Sequence, residues 1–164
     1  MKHLVAALAL IATPVAAQTP APAPAPPAAA TPAPPYGTPI GLEAAQALID
    51  RAVTAAAARG FRMAFAVVEP SGSLVAFARM DDVQYASIAV AQAKARSAAL
   101  YRGATAAAEA RVLAGRTVSL ALEGLVPVAG GVPIVVDGRI VGAIGVSGAS
   151  SAEDDEIARA ALGR

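Results

Sequence analysis

Residues 132–147 have the sequence VPIVVDGRIVGAIGVS, in which two apolar runs flank the dipeptide Asp137-Gly138. Asp-Gly favours the two-residue type I′ turn, because both central positions of that turn need a positive φ. We therefore predict that Val132 to Val136 and Arg139 to Ser147 are the two strands of a hairpin. Hairpin strands are antiparallel, so this segment favours an antiparallel sheet over a doubly wound one.

The sequence on either side of this hairpin predicts one more hairpin and four helices. Two strand-like runs flank the turn signal Pro70-Ser71-Gly72, and other segments carry apolar residues at helical spacing. The segment Thr117 to Leu122 could be strand or helix. The predicted elements are a helix from Leu42 closed by Gly60, strands Arg62 to Glu69 and Ser73 to Arg79, helices Ser87 to Tyr101 and Thr105 to Ala114, and a last helix with the capping box Ser151 and Asp154. This order predicts an α+β domain in which helices pack on an antiparallel sheet.

The N-terminal residues predict export. Lys2 precedes an apolar run from Leu4 to Ala12, and Val15-Ala16-Ala17 supplies the small residues at which a signal peptidase cuts. That run is about half of the ~20 residues that cross a bilayer, so no membrane span is expected after cleavage. We expect a signal peptide at 1–17, a Pro/Ala-rich polyproline II linker at 18–39, and a folded domain at 40–164, in a periplasmic or secreted protein.

The composition excludes several classes of site. The chain has no cysteine, and its one histidine, His3, lies in the predicted signal peptide. Thiol catalysis, zinc ribbons and histidine-dependent serine triads are therefore excluded from the mature chain. Residues 40–164 carry all twelve acidic side chains and twelve basic ones, the thirteen Lys and Arg less Lys2. A neutral domain with scattered arginines is not expected to bind nucleic acid.

Five glycines near the second hairpin need an explanation, because a glycine weakens a strand by roughly 0.5–1 kcal/mol. They are Gly130, Gly131, Gly142, Gly145 and Gly148. Their spacing does not match the dinucleotide-binding pattern G-x-G-x-x-G, and that pattern also needs a parallel βαβ unit. A flat ligand, a helix or another subunit comes close to the backbone here, and the sequence leaves these three alternatives open.

Charged and polar side chains mark further candidate positions. Lys94, Ser97 and Tyr101 recur at intervals of three and four, so they share a helix face that can bind a ligand, while alanines on another face pack. Arg79 lies in a charge cluster at the end of a predicted strand. The acidic run at 153–156 is typical of a solvated helix start, and it repels phosphate.

Seven short motifs occur in one order along the chain. They are AVVEPSG at 66–72, RMDD at 79–82, KARSAA at 94–99, GGVPI at 130–134, DG at 137–138, GAIGVSG at 142–148 and DDEIA at 154–158. In this order they resemble the GlcG/HbpS family of haem-binding or haem-degrading proteins over nearly all of residues 42–162. The resemblance implies a profilin-like α/β/α architecture, with a five-stranded antiparallel sheet flanked by helices. It also implies homo-oligomers, haem or iron as cofactor and, in some relatives, a sensor kinase as partner.

The resemblance also implies ligands for haem iron. Thr105 corresponds to the threonine of a relative that binds haem iron through a hydroxyl group. Tyr101 is a second candidate, with Tyr85 and Met80 as alternatives, because phenolate and thioether groups can bind haem iron. The predicted metal ligands are therefore Thr105 and Tyr101.

The carboxylates of haem need cations, and Lys94 and Arg96 on one predicted helix can pair with them. The glycine-rich strands would supply an open backbone surface beside this helix. The expected ligand-binding residues are Arg79, Lys94, Arg96, Ser97, Tyr101, Thr105, Gly130, Gly131, Gly145, Ser147 and Gly148.

Three functions are consistent with the sequence. The first is an exported protein that binds haem, and buffers or senses it; any haem degradation would be chemistry of the haem iron, since no dedicated catalytic group is present. The second is a binding module for a small organic acid whose carboxylate is held by Arg79 or Lys94. The third is a structural homo-oligomer without haem, in which Gly145 contacts another subunit.

Overall fold

The structure is a computed structural model, and it describes residues 32–164. The predicted signal peptide and most of the predicted linker lie outside the described residues. The elements, in chain order, are α1 Leu42–Ala58, β1 Ala64–Val68, β2 Leu74–Arg79, α2 Ala86–Leu100, α3 Thr105–Leu113, a short 3₁₀ helix Thr117–Ala121, β3 Gly131–Val136, β4 Arg139–Ser147 and α4 Ser151–Ala161. The two hairpins and the four helices are present as predicted, and the ambiguous segment is the 3₁₀ helix. No helix in the described range is long and apolar enough to cross a membrane.

Four antiparallel strands form one sheet in the order β2-β1-β4-β3. The turn between β3 and β4 has φ values of +48° at Asp137 and +72° at Gly138, as the predicted type I′ turn requires. The expectation of a five-stranded sheet is wrong, because the sheet has four strands within residues 32–164. The segment around Tyr36 makes an isolated bridge to Ile140, but prolines on either side of Tyr36 lack the amide hydrogens that would extend a ladder.

Helices cover both faces of the sheet in a three-layer α/β/α arrangement. On one face, α1 and α4 pack together over the larger side chains of the strands, such as Phe65 and Val67. On the other face, α2 packs against Ala64, Ala66 and Ala143. Because side chains alternate along a strand, β1 presents Phe65 and Val67 to α1 and α4, and it presents Ala64, Ala66 and Val68 to α2.

Small residues let the backbone of α2 approach the sheet closely. Ala66, Gly145 and Gly131 are register partners in a row that crosses β1, β4 and β3. A Cβ at Gly145 would overlap the carbonyl oxygen of Ala91, and a Cβ at Gly131 would overlap that of Lys94. Helix–sheet packing therefore requires both glycines, which decides one of the alternatives that the sequence leaves open.

Residues 35–40, at the end of the predicted linker, run beside β4 where β1 has ended. The amides of Gly37 and Ile40 each donate to a β4 carbonyl at 2.8 Å. The hydroxyl hydrogen of Tyr36 is shared between the carbonyl oxygens of the last two residues of α2, at 3.0 and 3.1 Å. Through these hydrogen bonds the short segment holds β4 and the C-terminal end of α2 together.

The capping box of α4 lies one residue before the predicted one. The amide of Glu153 donates to Ser150 Oγ at 3.4 Å, and the amide of Ser150 donates to the Glu153 carboxylate at 3.0 Å. The prediction of Ser151 with Asp154 is wrong, because Asp154 points inward and is buried. Two adjacent residues therefore have different roles: the carboxylate of Glu153 caps the helix, and that of Asp154 lies in the core.

Candidate functional site

A cleft of about 180 Å³ opens where α2 ends and α3 begins. Three of the predicted ligand-binding residues, Ser97, Tyr101 and Thr105, line this cleft. They come from both helices, and the loop after the 3₁₀ helix forms the remaining wall. The other lining residues are Arg102, Gly103, Ala104, Ala107, Ala108, Arg111 and Leu125.

The hydroxyl groups of the three predicted residues are all engaged by the backbone. Ser97 Oγ accepts a loop amide at 3.0 Å, and Tyr101 OH donates to the carbonyl oxygen of Glu123 at 2.6 Å. Thr105 is 2% exposed, and its Oγ1 accepts the amide of Gly131 at 2.9 Å. These bonds hold the loop and β3 against the two helices. A Tyr101 phenolate could bind iron only by giving up its hydrogen bond to the Glu123 carbonyl, whereas Thr105 is held back from a ligand by its burial.

Two arginines supply the charge of the cleft. Arg102 and Arg111 are exposed, and neither has an ion-pair partner within residues 32–164. The guanidinium of Arg102 lies 5.6 Å from the centre of the Tyr36 ring, a cation–π contact. Arg102 also has a φ of +50°, and such backbone conformations cost roughly 1–3 kcal/mol and concentrate at functional sites. None of the described residues that line the cleft is acidic, so the two guanidinium groups are the charged groups of its lining.

Lys94 lies inside the protein rather than on an open helix face. It is 1% exposed, and its Nζ donates to Asp154 Oδ2 at 2.7 Å and to the carbonyl oxygen of Val146 at 3.2 Å. The other oxygen of Asp154 accepts the amide of Ala149 at 3.0 Å. Burial raises the pKa of the Asp154 carboxyl above its ordinary value, and the hydrogen bond from Lys94 opposes that change. The expectation that Lys94 faces a ligand is wrong, because its ammonium group joins α2 to α4 in the interior.

The backbone surface expected at the glycine-rich strands is covered by the protein's own atoms. A Cβ at Gly130 would lie 2.9 Å from Lys94 Nζ, and a Cβ at Gly148 would overlap a backbone carbonyl. Ser147 is buried, and its hydroxyl donates to that of Ser87 at 3.2 Å. Internal packing replaces the expected ligand surface at Gly130, Gly131, Gly145, Ser147 and Gly148. Gly145 is likewise closed to the subunit contact that the third function required.

Arg79 and Met80 lie at the opposite edge of the sheet from the cleft. Arg79 is the exposed last residue of β2, which is the edge strand farthest from β3 in the strand order. Met80 follows it and packs against the main core. Because Thr105 contacts β3, the fold does not bring either residue to the cleft.

The other candidates on or near α2 are also outside the cleft. Tyr85 precedes α2 and Tyr101 follows it, so the 15 residues of the helix hold them apart by about 22 Å. Arg96 is exposed on α2, and its side chain packs over Gly72 in the turn between β1 and β2. The predicted pairing of Arg96 with a carboxylate is therefore not part of this cleft.

Oxygen atoms are the candidate metal donors here. Residues 32–164 contain no group of three or more His, Cys, Asp or Glu side chains that could hold a metal ion. Tyr101 is 40% exposed at the rim of the cleft and has a loop carbonyl as partner, whereas Thr105 is buried. Of the two predicted iron ligands, Tyr101 thus needs the smaller rearrangement.

The sequence alone does not point to Arg102 or Arg111 as site residues. A weak signal exists, because Ala104 at the N-cap and Ala107 and Arg111 on α3 recur at intervals of three and four. Arg102 precedes Gly103 in the break between two helices. Only the packing of α3 against the end of α2 shows that both arginines line the cleft that contains Tyr101.

Comparison with known proteins identifies close relatives in sequence. Residues 40–163 match the sequence profile of the family described as "Haem degrading protein HbpS-like". Protein GlcG of Escherichia coli is 41% identical over 103 residues, which are 63% of this chain and 77% of GlcG.

Solved structures with the same fold include two proteins whose descriptions name HbpS or haem. A doubly substituted form of HbpS from Streptomyces reticuli has a TM-score of 0.71 and 33% identity, covering 87% of this chain and 97% of that one. A complex of PduOC with haem has a TM-score of 0.68 and 26% identity, covering 77% of this chain and 94% of that one. Because the match to the family profile covers most of the chain, the chain belongs to the HbpS-like family.

Proposed function

We propose that this protein is an exported haem-binding protein that buffers or senses haem. The observation that carries the proposal is the cleft, which gathers Ser97, Tyr101 and Thr105 beside two arginines and has no acidic lining among the described residues. Membership of the HbpS-like family and the likeness to a haem complex of PduOC support the same ligand.

The size of the cleft favours partial enclosure of haem. Its volume of about 180 Å³ is below the ~300–1,000 Å³ of pockets that enclose most of a drug-sized ligand. One edge of a porphyrin fits such a cleft, and the rest of the ring stays at the surface. This arrangement suits weak, reversible uptake, which buffering or sensing needs.

We assign the iron ligand to Tyr101, with Thr105 as the second candidate. Bound haem would supply redox chemistry at its iron, including any haem degradation. The chain's own residues would orient the ring and leave one side of it accessible. Any enzymatic role would therefore depend on the haem and not on a catalytic group of the protein.

A spectroscopic haem titration of the purified full-length chain tests this proposal. We expect a saturable shift of the Soret band that Tyr101→Phe weakens or moves in wavelength. Tyr85→Phe is the matched control, since Tyr85 lies at the other end of α2, and it should leave the titration unchanged. Thr105→Ala tests the second ligand. An unchanged Soret band with the wild-type chain would overturn haem binding.

A small organic acid is the second candidate ligand. The same two arginines and the small volume of the cleft favour it, because a short carboxylate would be enclosed whole. Calorimetric titration with a hydroxy acid separates the two ligands. Heat of binding for the acid together with an unchanged Soret band on haem addition would favour the organic acid.

Export is proposed from the predicted signal peptide. Expression of the full gene in a bacterium, followed by mass measurement of the protein in the periplasm and the medium, tests it. We expect a chain that begins at Gln18. An intact chain that is found only in the cytoplasm would contradict export. A sensor kinase as partner stays a prediction from the resemblance.

A further inference from the structure

Two like charges line one small cleft without a compensating acid. Arg102 and Arg111 both line it, and the ion pairs among residues 32–164 involve neither of them. Like charges that share a cleft repel each other and concentrate anions from solution. The cleft is therefore suited to a ligand that carries negative charge.

The nearby acidic side chains of the described residues form no ion pair with these arginines. Glu109, on the same helix as Arg111, accepts the amide of Ala129 with its carboxylate at 3.3 Å. Glu123 contributes its backbone carbonyl to Tyr101 and is not a lining residue.

We propose that Arg102 and Arg111 bind the propionate carboxylates of haem and so determine which edge of the porphyrin enters the cleft. This inference rests on the proposed function and specifies how the ligand is recognised. The two cations predicted for this task from the sequence are not available, since Lys94 is buried against Asp154 and Arg96 lies outside the cleft.

The shape of the ligand matches this assignment. Haem carries both propionates on one edge, and the remaining edges are apolar. A guanidinium group presents a planar fork of N–H donors that fits a carboxylate. Because the cleft accommodates only an edge, the arginines select the carboxylate-bearing one.

Comparison of haem with its dimethyl ester tests the inference, since the ester keeps the ring and the iron but loses both charges. We expect the wild-type full-length chain to bind haem about ten- to a hundredfold more tightly than the ester, the range for loss of a charged hydrogen bond. In the double variant Arg102→Gln/Arg111→Gln this ratio should fall close to one. Arg111→Lys should retain part of the preference.

Arg96→Gln is the matched control, because it removes an exposed arginine of α2 that does not line the cleft. Its ratio should equal that of the wild type. Arg102→Gly separates recognition from folding, since glycine adopts the φ of +50° at this position without strain. It should lower the ratio while the thermal midpoint stays the same or rises.

Two negative results have different meanings. If the wild type binds haem and the ester equally tightly, or if the double variant keeps the preference, the arginines do not recognise the carboxylates and this inference is overturned while haem binding stands. If neither compound shifts the Soret band of the wild type, the proposed function itself fails, and the assignment of the arginines fails with it.

Discussion

A buried ammonium and a buried carboxylate stabilise a fold only as a pair. Lys94 and Asp154 are both buried, and Lys94 Nζ lies 2.7 Å from Asp154 Oδ2. The substitution Lys94→Met would leave the Asp154 carboxylate in the interior without its cation. We expect this variant to lower the free energy of unfolding by about 3–5 kcal/mol. Urea unfolding followed by circular dichroism measures the loss.

Two further variants show whether burial is the cause. Lys94→Met/Asp154→Leu removes both charges, and it should recover much of the loss because apolar residues often replace a buried ion pair at little cost. Glu156→Gln breaks the exposed ion pair with Arg59 and should cost about 1 kcal/mol or less. Similar losses for Lys94→Met and Glu156→Gln would argue against the buried pair.

Gly145 tests the close approach of α2 to the sheet. A Cβ at this position would overlap the Ala91 carbonyl, so Gly145→Ala should lower the free energy of unfolding by about 1–3 kcal/mol through overpacking. Gly103→Ala is the control, because its Cβ would meet the Tyr101 carbonyl oxygen at an ordinary 3.7 Å. Its change should stay within about 0.5 kcal/mol. Equal effects of the two substitutions would contradict the packing role of Gly145.

Sequence patterns predict the burial and the contacts of a residue only where its neighbours along the chain determine them. The spacing of Lys94, Ser97 and Tyr101 on one helix face is correct, but the burial of Lys94 depends on Asp154, which is 60 positions away. A lysine on a helix usually keeps its ammonium group in water. No pattern within α2 shows that Asp154 of α4 lies in the interior as the partner of Lys94.

At the scale of elements, the start of α4 predicts a pH dependence. Hydrogen bonds from the Ser150 hydroxyl and amide hold the pKa of Glu153 below its ordinary value of 4.5. A carboxylate with a lowered pKa stabilises the fold above its ordinary pKa, and this contribution is lost as the pH falls through the folded-state pKa. We therefore expect the wild type to lose stability relative to Glu153→Gln as the pH falls below about 4.5 and through the lowered folded-state pKa.

Urea midpoints of the two proteins across this pH range measure the effect. The same pair of measurements in a Ser150→Ala background is the control, because the hydroxyl that lowers the pKa is then absent. The pH-dependent difference should shrink in that background. Parallel stability curves for the wild type and Glu153→Gln would contradict the contribution of the capping box.

Elements with a local signal are predicted well, and elements that depend on distant partners are not. Asp137-Gly138 determines its own turn, because the positive φ values are a property of those two residues. The expected fifth strand has no such signal: the segment Thr117 to Leu122, which the sequence leaves open between strand and helix, forms the 3₁₀ helix, and residues 35–40 make only an isolated bridge to β4. The capping box at Ser150 shows the same limit, since two adjacent serines and four consecutive acidic residues allow more than one register.

At the scale of the whole molecule, the cleft depends on parts of the chain that are far apart in sequence. Tyr36, from the predicted linker, holds the end of α2 and contacts the Arg102 guanidinium. Thr105 is held by Gly131 of β3, and Tyr101 by the loop after the 3₁₀ helix. Three of the cleft's residues could be predicted from the sequence, but the two arginines could not, because their shared location exists only after these contacts form.

The surface beyond α3 bears on the predicted homo-oligomer. Four large aliphatic side chains are strongly exposed within ten positions, and they are Leu113, Val118, Leu120 and Leu122. A two-fold dimer would bury the set twice, and eight side chains at about 1–2 kcal/mol each give on the order of 8–16 kcal/mol. That sum is comparable with the ~4–15 kcal/mol cost of association. The predicted homo-oligomer would cover this surface with a second copy of the chain.

Charged substitutions on this surface test the assembly of the molecule. In sedimentation velocity we expect the wild type to sediment as an oligomer and Leu113→Asp/Leu120→Asp as a smaller species, because a carboxylate buried at an apolar contact loses its hydration without gaining a partner. Leu74→Asp is the control, since Leu74 is a similarly exposed leucine on β2 at the other edge of the sheet. If Leu74→Asp dissociates the oligomer and the double variant does not, the edge strand β2 mediates assembly and the aliphatic surface beyond α3 has another role.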